Sequence, residues 1–113
     1  MPTLVISIDG AVIKEVQLIK ERTTLGRRPY NDIVIDNLAV SGEHAVLSIV
    51  DGAVIIEDLR STNGTYVNGQ PILRQTSHLE VLHQHVALQG HLADERLTFR
   101  LRHVDSHGAL VAV

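Results

Sequence analysis

No cysteine occurs anywhere in the 113-residue chain, so a disulfide framework, a thiolate zinc centre and a cysteine nucleophile are all excluded. Tryptophan is also missing, and the aromatics reduce to Tyr30, Tyr66 and Phe99. So few stacking platforms argue against a binder of single-stranded nucleic acid. Positive charge is scarce as well. Ten Lys and Arg against thirteen Asp and Glu give a formal net charge of -3, the wrong sign for holding nucleic acid or an anionic membrane with the whole molecule. No apolar run comes near the roughly 18 residues of a membrane span, and Met1-Pro2-Thr3 lacks the basic start of a secretory signal. These absences lead us to expect a cytoplasmic protein with neither nucleic acid nor membrane among its partners, and they leave a local basic patch as the place to look for charge.

What remains is ordinary globular material: 44% apolar and 20% charged residues, enough for one compact domain over residues 1–113 with a Val, Ile and Leu core. Short β-branched runs recur about every ten residues between turn dipeptides, the pattern of an all-β sandwich or barrel. Asp9-Gly10 separates Thr3–Ile8 from Ala11–Leu18, and Asp51-Gly52 separates His44–Val50 from Ala53–Glu57. Asn68-Gly69 lies between Thr65–Val67 and the apolar start at Pro71. Each dipeptide supplies the positive φ of a tight hairpin. Further strands are expected at Ile33–Ile35, Leu79–Leu82, Val86–Leu88 and Leu97–Leu101. In the last of these Leu97, Phe99 and Leu101 alternate with Thr98, Arg100 and Arg102, giving one dry face and one wet face. Residues 91–95 suit a helical turn or a loop, and Val104–Val113 an edge strand or a tail.

Three polar segments interrupt this pattern. Arg22 to Tyr30 carries three arginines and no acid, a local charge of +3. Arginine forks suit a phosphate, although a solvated loop paired with Asp32 or Asp36 is the plainer reading. Val40-Ser41-Gly42-Glu43-His44 offers a hydroxyl and a backbone N–H to the same anion, while His44 is best read as a buried, hydrogen-bonded imidazole that pins the loop. Asp58 to Gly69 sets Ser61, Thr62 and Asn63 at the tip of a turn, where hydroxyl and amide groups can meet an extended peptide or an oxyanion.

In this order the segments resemble the forkhead-associated (FHA) domain. The resemblance runs from Leu25-Gly26-Arg27 through Asn31–Ile35 and Ser41-x-x-His44 to Asp58–Gly69, with a motif core of about residues 23–75. It implies an all-β sandwich of two mainly antiparallel sheets with binding loops at one end. It also implies phosphothreonine-dependent protein binding in Ser/Thr kinase signalling or regulated assembly. Residue by residue, the phosphate-binding arginine and serine fall on Arg27 and Ser41. The second-loop threonine falls on Thr62, and the asparagine that holds the peptide main chain falls on Asn63. Arg28, Gly42, Arg60 and Ser61 are candidate auxiliary contacts; Gly26, His44, Gly64 and Asn68 are architectural. The chain departs from the family at Gly42, where Arg, Lys or Asn is common, and one side-chain donor is thereby lost. It departs again at Leu82–Val86, where a Gly-Asp turn is common.

The partner implied is a phosphothreonine-containing protein or a kinase, with no cofactor and no catalysis; the oligomeric state is not legible. Six of the seven histidines lie at or after His78, and His83-x-His85 places two imidazoles on one strand face. A closed metal site needs about four ligands, so a surface turn is the better reading and no metal is expected. Two rivals stand beside the main reading. One is an FHA fold that binds partners without phosphate; the other is a small hydrolase using Ser41, His44 and Asp58, which lacks a nucleophile-elbow sequence.

Overall fold

A computed structural model describes residues 2–51, 53–78 and 86–103. Among these residues there is no helix, hence none long and apolar enough to cross a membrane. Eleven strands occur: β1 (Pro2–Ile8), β2 (Ala11–Gln17), β3 (Arg22–Gly26), β4 (Ile33–Val34), β5 (Ala45–Val50), β6 (Ala53–Asp58), β7 (Thr65–Val67), β8 (Gln70–Pro71), β9 (Arg74–His78), β10 (Val86–Leu92) and β11 (Asp94–His103). They form a six-stranded sheet in the order β2-β1-β11-β10-β7-β8 and a five-stranded sheet in the order β4-β3-β5-β6-β9. Every pairing is antiparallel except β3 with β4, which run parallel with Leu25 opposite Ile33.

The hairpins follow from backbone chemistry. Asp9 and Gly10 have φ of 49° and 82°, and Asn68 and Gly69 have 51° and 79°, the doubly positive turn whose twist matches the flanking strands. Asp51 has φ 50° at the third; Gly52 lies outside the described residues. Side-chain alternation then decides what each strand buries. Leu97, Phe99 and Leu101 are at most 3% exposed and join Leu4 and Ile6 of the same sheet in one cluster with Leu25, Leu47, Val54 and Ile56 of the other. Thr98 and Arg100 face water, and Arg102 pairs with Glu15 across the outer face.

Three segments depart from the sequence expectation. Residues 22–26, read as the start of a polar loop, form strand β3 against β5, with Thr23 opposite Leu47. Residues 91–95 form neither a helical turn nor a loop. Pairing of Gly90, His91 and Leu92 with Val67, Tyr66 and Thr65 carries β10 through Leu92, and a single left-handed residue, Ala93 at φ 62°, reverses the chain into β11. Strand β9 has no apolar alternation to announce it. It forms because the edge of β6 offers unpaired backbone groups, with Ile55 opposite Thr76. The strand expected at Leu79–Leu82, the His83 and His85 pair and Val104–Val113 lie outside the described residues.

Leu101 is fully buried between the two sheets. Leu101→Ala is expected to lower the unfolding free energy by about 2–5 kcal/mol, read by urea titration. A loss under about 1 kcal/mol would mean that the two faces do not pack there as described.

Candidate functional site

Three loops converge at one end of the sandwich: residues 27–32 after β3, residues 35–44 before β5, and residues 59–64 between β6 and β7. The first two are laced by backbone bonds, with Arg27 N–H donating to the Ser41 carbonyl at 2.9 Å and Arg28 N–H to the Gly42 carbonyl at 3.2 Å. Such closeness requires glycine at residue 26, because a Cβ there would stand 2.3 Å from the Gly42 carbonyl oxygen. Asn31, buried beneath, adds a second clamp by donating from Nδ2 to the Arg28 and Gly42 carbonyls at 2.8 and 2.7 Å.

His44 joins the second and third loops to the end of β3. Its backbone N–H donates to the Leu25 carbonyl and its carbonyl accepts from Leu59 N–H, both at 2.9 Å. In the ring, Nδ1 accepts from Ser41 N–H at 3.1 Å, which fixes the proton on Nε2, and Nε2 donates to the Gly64 carbonyl at 2.9 Å. The side chain is wholly enclosed. Burial pushes its pKa below the usual 6.5, opposed by the Gly64 carbonyl and the charge of Asp58. The N–H of Ser41 is thus spent on His44 rather than offered to an anion, a correction to the sequence reading. The Ser41 hydroxyl accepts from Thr62 N–H at 2.9 Å, leaving its own proton to donate outward.

The third loop is wound around Asp58. Its carboxylate accepts from Ser61 N–H, the Ser61 hydroxyl and the Thr65 hydroxyl, and Ser61 Oγ in turn accepts from Gly64 N–H at 3.0 Å. Ser61 therefore shapes the turn instead of lining a site. Arg60 is exposed in a left-handed conformation with φ 56°, and Gly64 follows at 89°. The sequence reading missed the organising roles of Asp58 and Asn31. An Asp followed three residues later by Ser is the local signal for the first; nothing local announces the second. Ser41, His44 and Asp58 are not wired as a catalytic relay, since both imidazole nitrogens are taken by backbone groups.

These constraints leave an open pocket of about 320 Å³ whose wall includes Arg27, Ser41, Thr62 and Asn63. The rest of the wall is Gly42 with Leu38, Ala39 and Val40, so no carboxylate lines it. Asn63 Nδ2 donates to the Ala39 carbonyl at 2.8 Å, leaving the amide oxygen without a partner among the described residues. Arg28, Arg60 and Ser61 do not line the pocket. Asp32 does not neutralise the arginines. It binds Lys20 and the N–H and hydroxyl of Thr24, and the Lys20 bond, with the Thr24 N–H next, holds its carboxyl below the ordinary range. Among the described residues no arginine of the 22–30 segment has an ion-pair partner.

A family model described as "FHA domain" matches residues 23–85. The oxoglutarate dehydrogenase inhibitor of Corynebacterium diphtheriae is 44% identical over 54 residues, which are 48% of this chain and 38% of that protein. The glycogen accumulation regulator GarA of Mycolicibacterium smegmatis is 42% identical over 50 residues, 44% of this chain and 32% of that protein. The chain thus spans about a third of the length of these curated relatives. Among solved structures, the FHA domain of the CT664 protein from Chlamydia trachomatis superposes with a TM-score of 0.74 at 26% identity, covering 92% of this chain and 98% of that one. Mycobacterium tuberculosis EmbR in complex with a low-affinity phosphopeptide gives 0.69 at 27% identity, over 88% of this chain and 24% of that one.

His44 makes stability pH-dependent. The unfolded chain takes up a proton near pH 6.5, whereas folded His44 resists it until a lower pH. The unfolded state then binds more protons, so stability is complete above pH 6.5 and falls as pH drops through the folded value. We expect denaturant titrations to show this acid slope in the wild type and a shallower one in His44→Gln. Equal slopes would mean that His44 titrates normally.

Proposed function

This chain belongs to the FHA domain family, and from that premise we propose that it is a phosphothreonine-dependent protein-binding module acting in serine/threonine-kinase signalling. One observation carries the reading. Three separate loops bring a guanidinium, two hydroxyls and an amide onto one pocket that no carboxylate lines.

A phosphothreonine brings about -1.5 to -2 charges and three strong acceptor oxygens. Arg27 meets them with a fork that has no ion-pair partner among the described residues, and Ser41 and Thr62 with hydroxyl donors. Charge-assisted bonds contribute about 1.5–3 kcal/mol and neutral ones about 1 kcal/mol, before the cost of ordering the peptide. The amide oxygen of Asn63 is placed to accept a peptide N–H, and Ala39 and Val40 give the threonine methyl an apolar wall. Because the loops are clamped before ligand arrives, little of the binding energy is consumed in ordering the protein.

The module binds and does not turn over its ligand. Its one histidine in the loops is locked as a neutral strut, and Asp58 is occupied by its own turn. The partner is a phosphothreonine-bearing protein or a kinase, and the compartment is the reducing cytoplasm, which suits a chain without cysteine. The solved phosphopeptide complex of EmbR supports the same use of the fold.

Titration of a degenerate phosphothreonine peptide pool tests the reading. Arg27→Ala is expected to weaken binding at least tenfold with the fold intact, since about 1.5–3 kcal/mol is lost with the guanidinium, and Ser41→Ala less. Phosphate-independent binding in the wild type would favour a scaffold function instead. Replacing phosphothreonine by phosphoserine is expected to cost more than the roughly fourfold effect of one buried methyl, because the β-branch also fixes χ1 and so the direction of the phosphate. Equal affinity, measured by calorimetry at one salt concentration, would show that the site reads charge alone.

A further inference from the structure

Gly42 lines the pocket, yet it is not among the residues of positive φ, so its backbone does not demand glycine. Its neighbour does. A Cβ on Gly42 would stand 2.8 Å from Nε, 3.0 Å from Cγ and 3.1 Å from Cδ of Arg28. The stem of Arg28 thus occupies the space through which any side chain of residue 42 would leave the backbone. Both residues are held in that relation from below. Arg28 N–H donates to the Gly42 carbonyl, and the Asn31 amide bridges the carbonyls of both. Arg28 has no ion-pair partner among the described residues, so although it does not itself line the pocket, an uncompensated positive charge is carried on a side chain packed against Gly42, which does.

We propose that Arg28 is a second phosphate-directed cation of this site and that the absence of a side chain at Gly42 is what seats it. The proposal rests on the phosphothreonine reading and deepens it: the donor lost at residue 42 is restored from the neighbouring loop. Its signature is coupling. Removing the guanidinium and displacing it are one injury, so the two substitutions do not add.

The probe is N-acetyl-phosphothreonine methylamide, titrated by amide NMR shifts at low salt, with N-acetyl-threonine methylamide alongside. This probe has no flanking residues, so a contact to an acidic neighbour in a longer peptide cannot mimic one to phosphate. We expect Arg28→Ala to weaken binding of the phosphorylated probe about fivefold, as for a partly exposed charge-assisted contact. Gly42→Ala, which displaces the Arg28 stem, is expected to weaken it similarly. The double variant should bind no worse than Arg28→Ala, and all three should keep wild-type spectra away from the loops. Unchanged affinity in Arg28→Ala overturns the proposal, as do fully additive losses in the double variant. A wild type that fails to distinguish the two probes overturns the phosphothreonine reading itself.

Discussion

The binding end of this protein depends on one buried imidazole. His44 sits where β5 begins, and its main chain ties the end of β3 to the residue after β6 while its ring ties the Ser41 loop to Gly64. A neutral imidazole is suited to that task because it carries one donor and one acceptor on opposite sides, and the two backbone groups it meets are an N–H and a carbonyl. A charged ring would present two donors and lose the Ser41 contact. Enclosure keeps the ring neutral, so the same burial that costs solvation also selects the bonding pattern.

Around that strut the site separates rigidity from charge. The clamps are neutral and mostly buried: Asn31 between two loops, the Ser41 hydroxyl under Thr62, and the Gly26 approach to Gly42. The acid at the root of the third loop, Asp58 at the end of β6, is turned to local hydroxyl and N–H groups. Asp32 is satisfied by Lys20 and Thr24. Arg27 and Arg28 stay exposed, without ion-pair partners among the described residues. Desolvation of the cation is deferred until an anion arrives to compensate it.

The sandwich makes this possible by distance and stiffness. β1 and β11 lie within one sheet, flanked by other strands on both sides, and the common core holds the strands that launch the loops. The loops therefore inherit fixed roots, and the hydrogen bonds among them need only settle short spans of backbone.

Locally encoded features are legible in the amino-acid sequence by itself. Asp9-Gly10 and Asn68-Gly69 turn where they do because Gly, Asn and Asp tolerate positive φ, and Leu97, Phe99 and Leu101 alternate inward because a strand has period two. The ordered motif residues, carried by family resemblance, mark Arg27, Ser41, Thr62 and Asn63, which do share one pocket. Other features have no local signature. Strand β9 is polar and exists through the edge of β6; residues 91–92 become strand by pairing with β7; Asn31 clamps its own loop to Gly42, eleven residues away. The Ser41 N–H points to His44, and Arg28 lies over Gly42. In each case the outcome depends on which backbone groups meet across the register of two sheets. A side chain's own conformational preferences act over a few residues, whereas hydrogen-bond partners from distant segments are chosen only when the core fixes how those segments sit together.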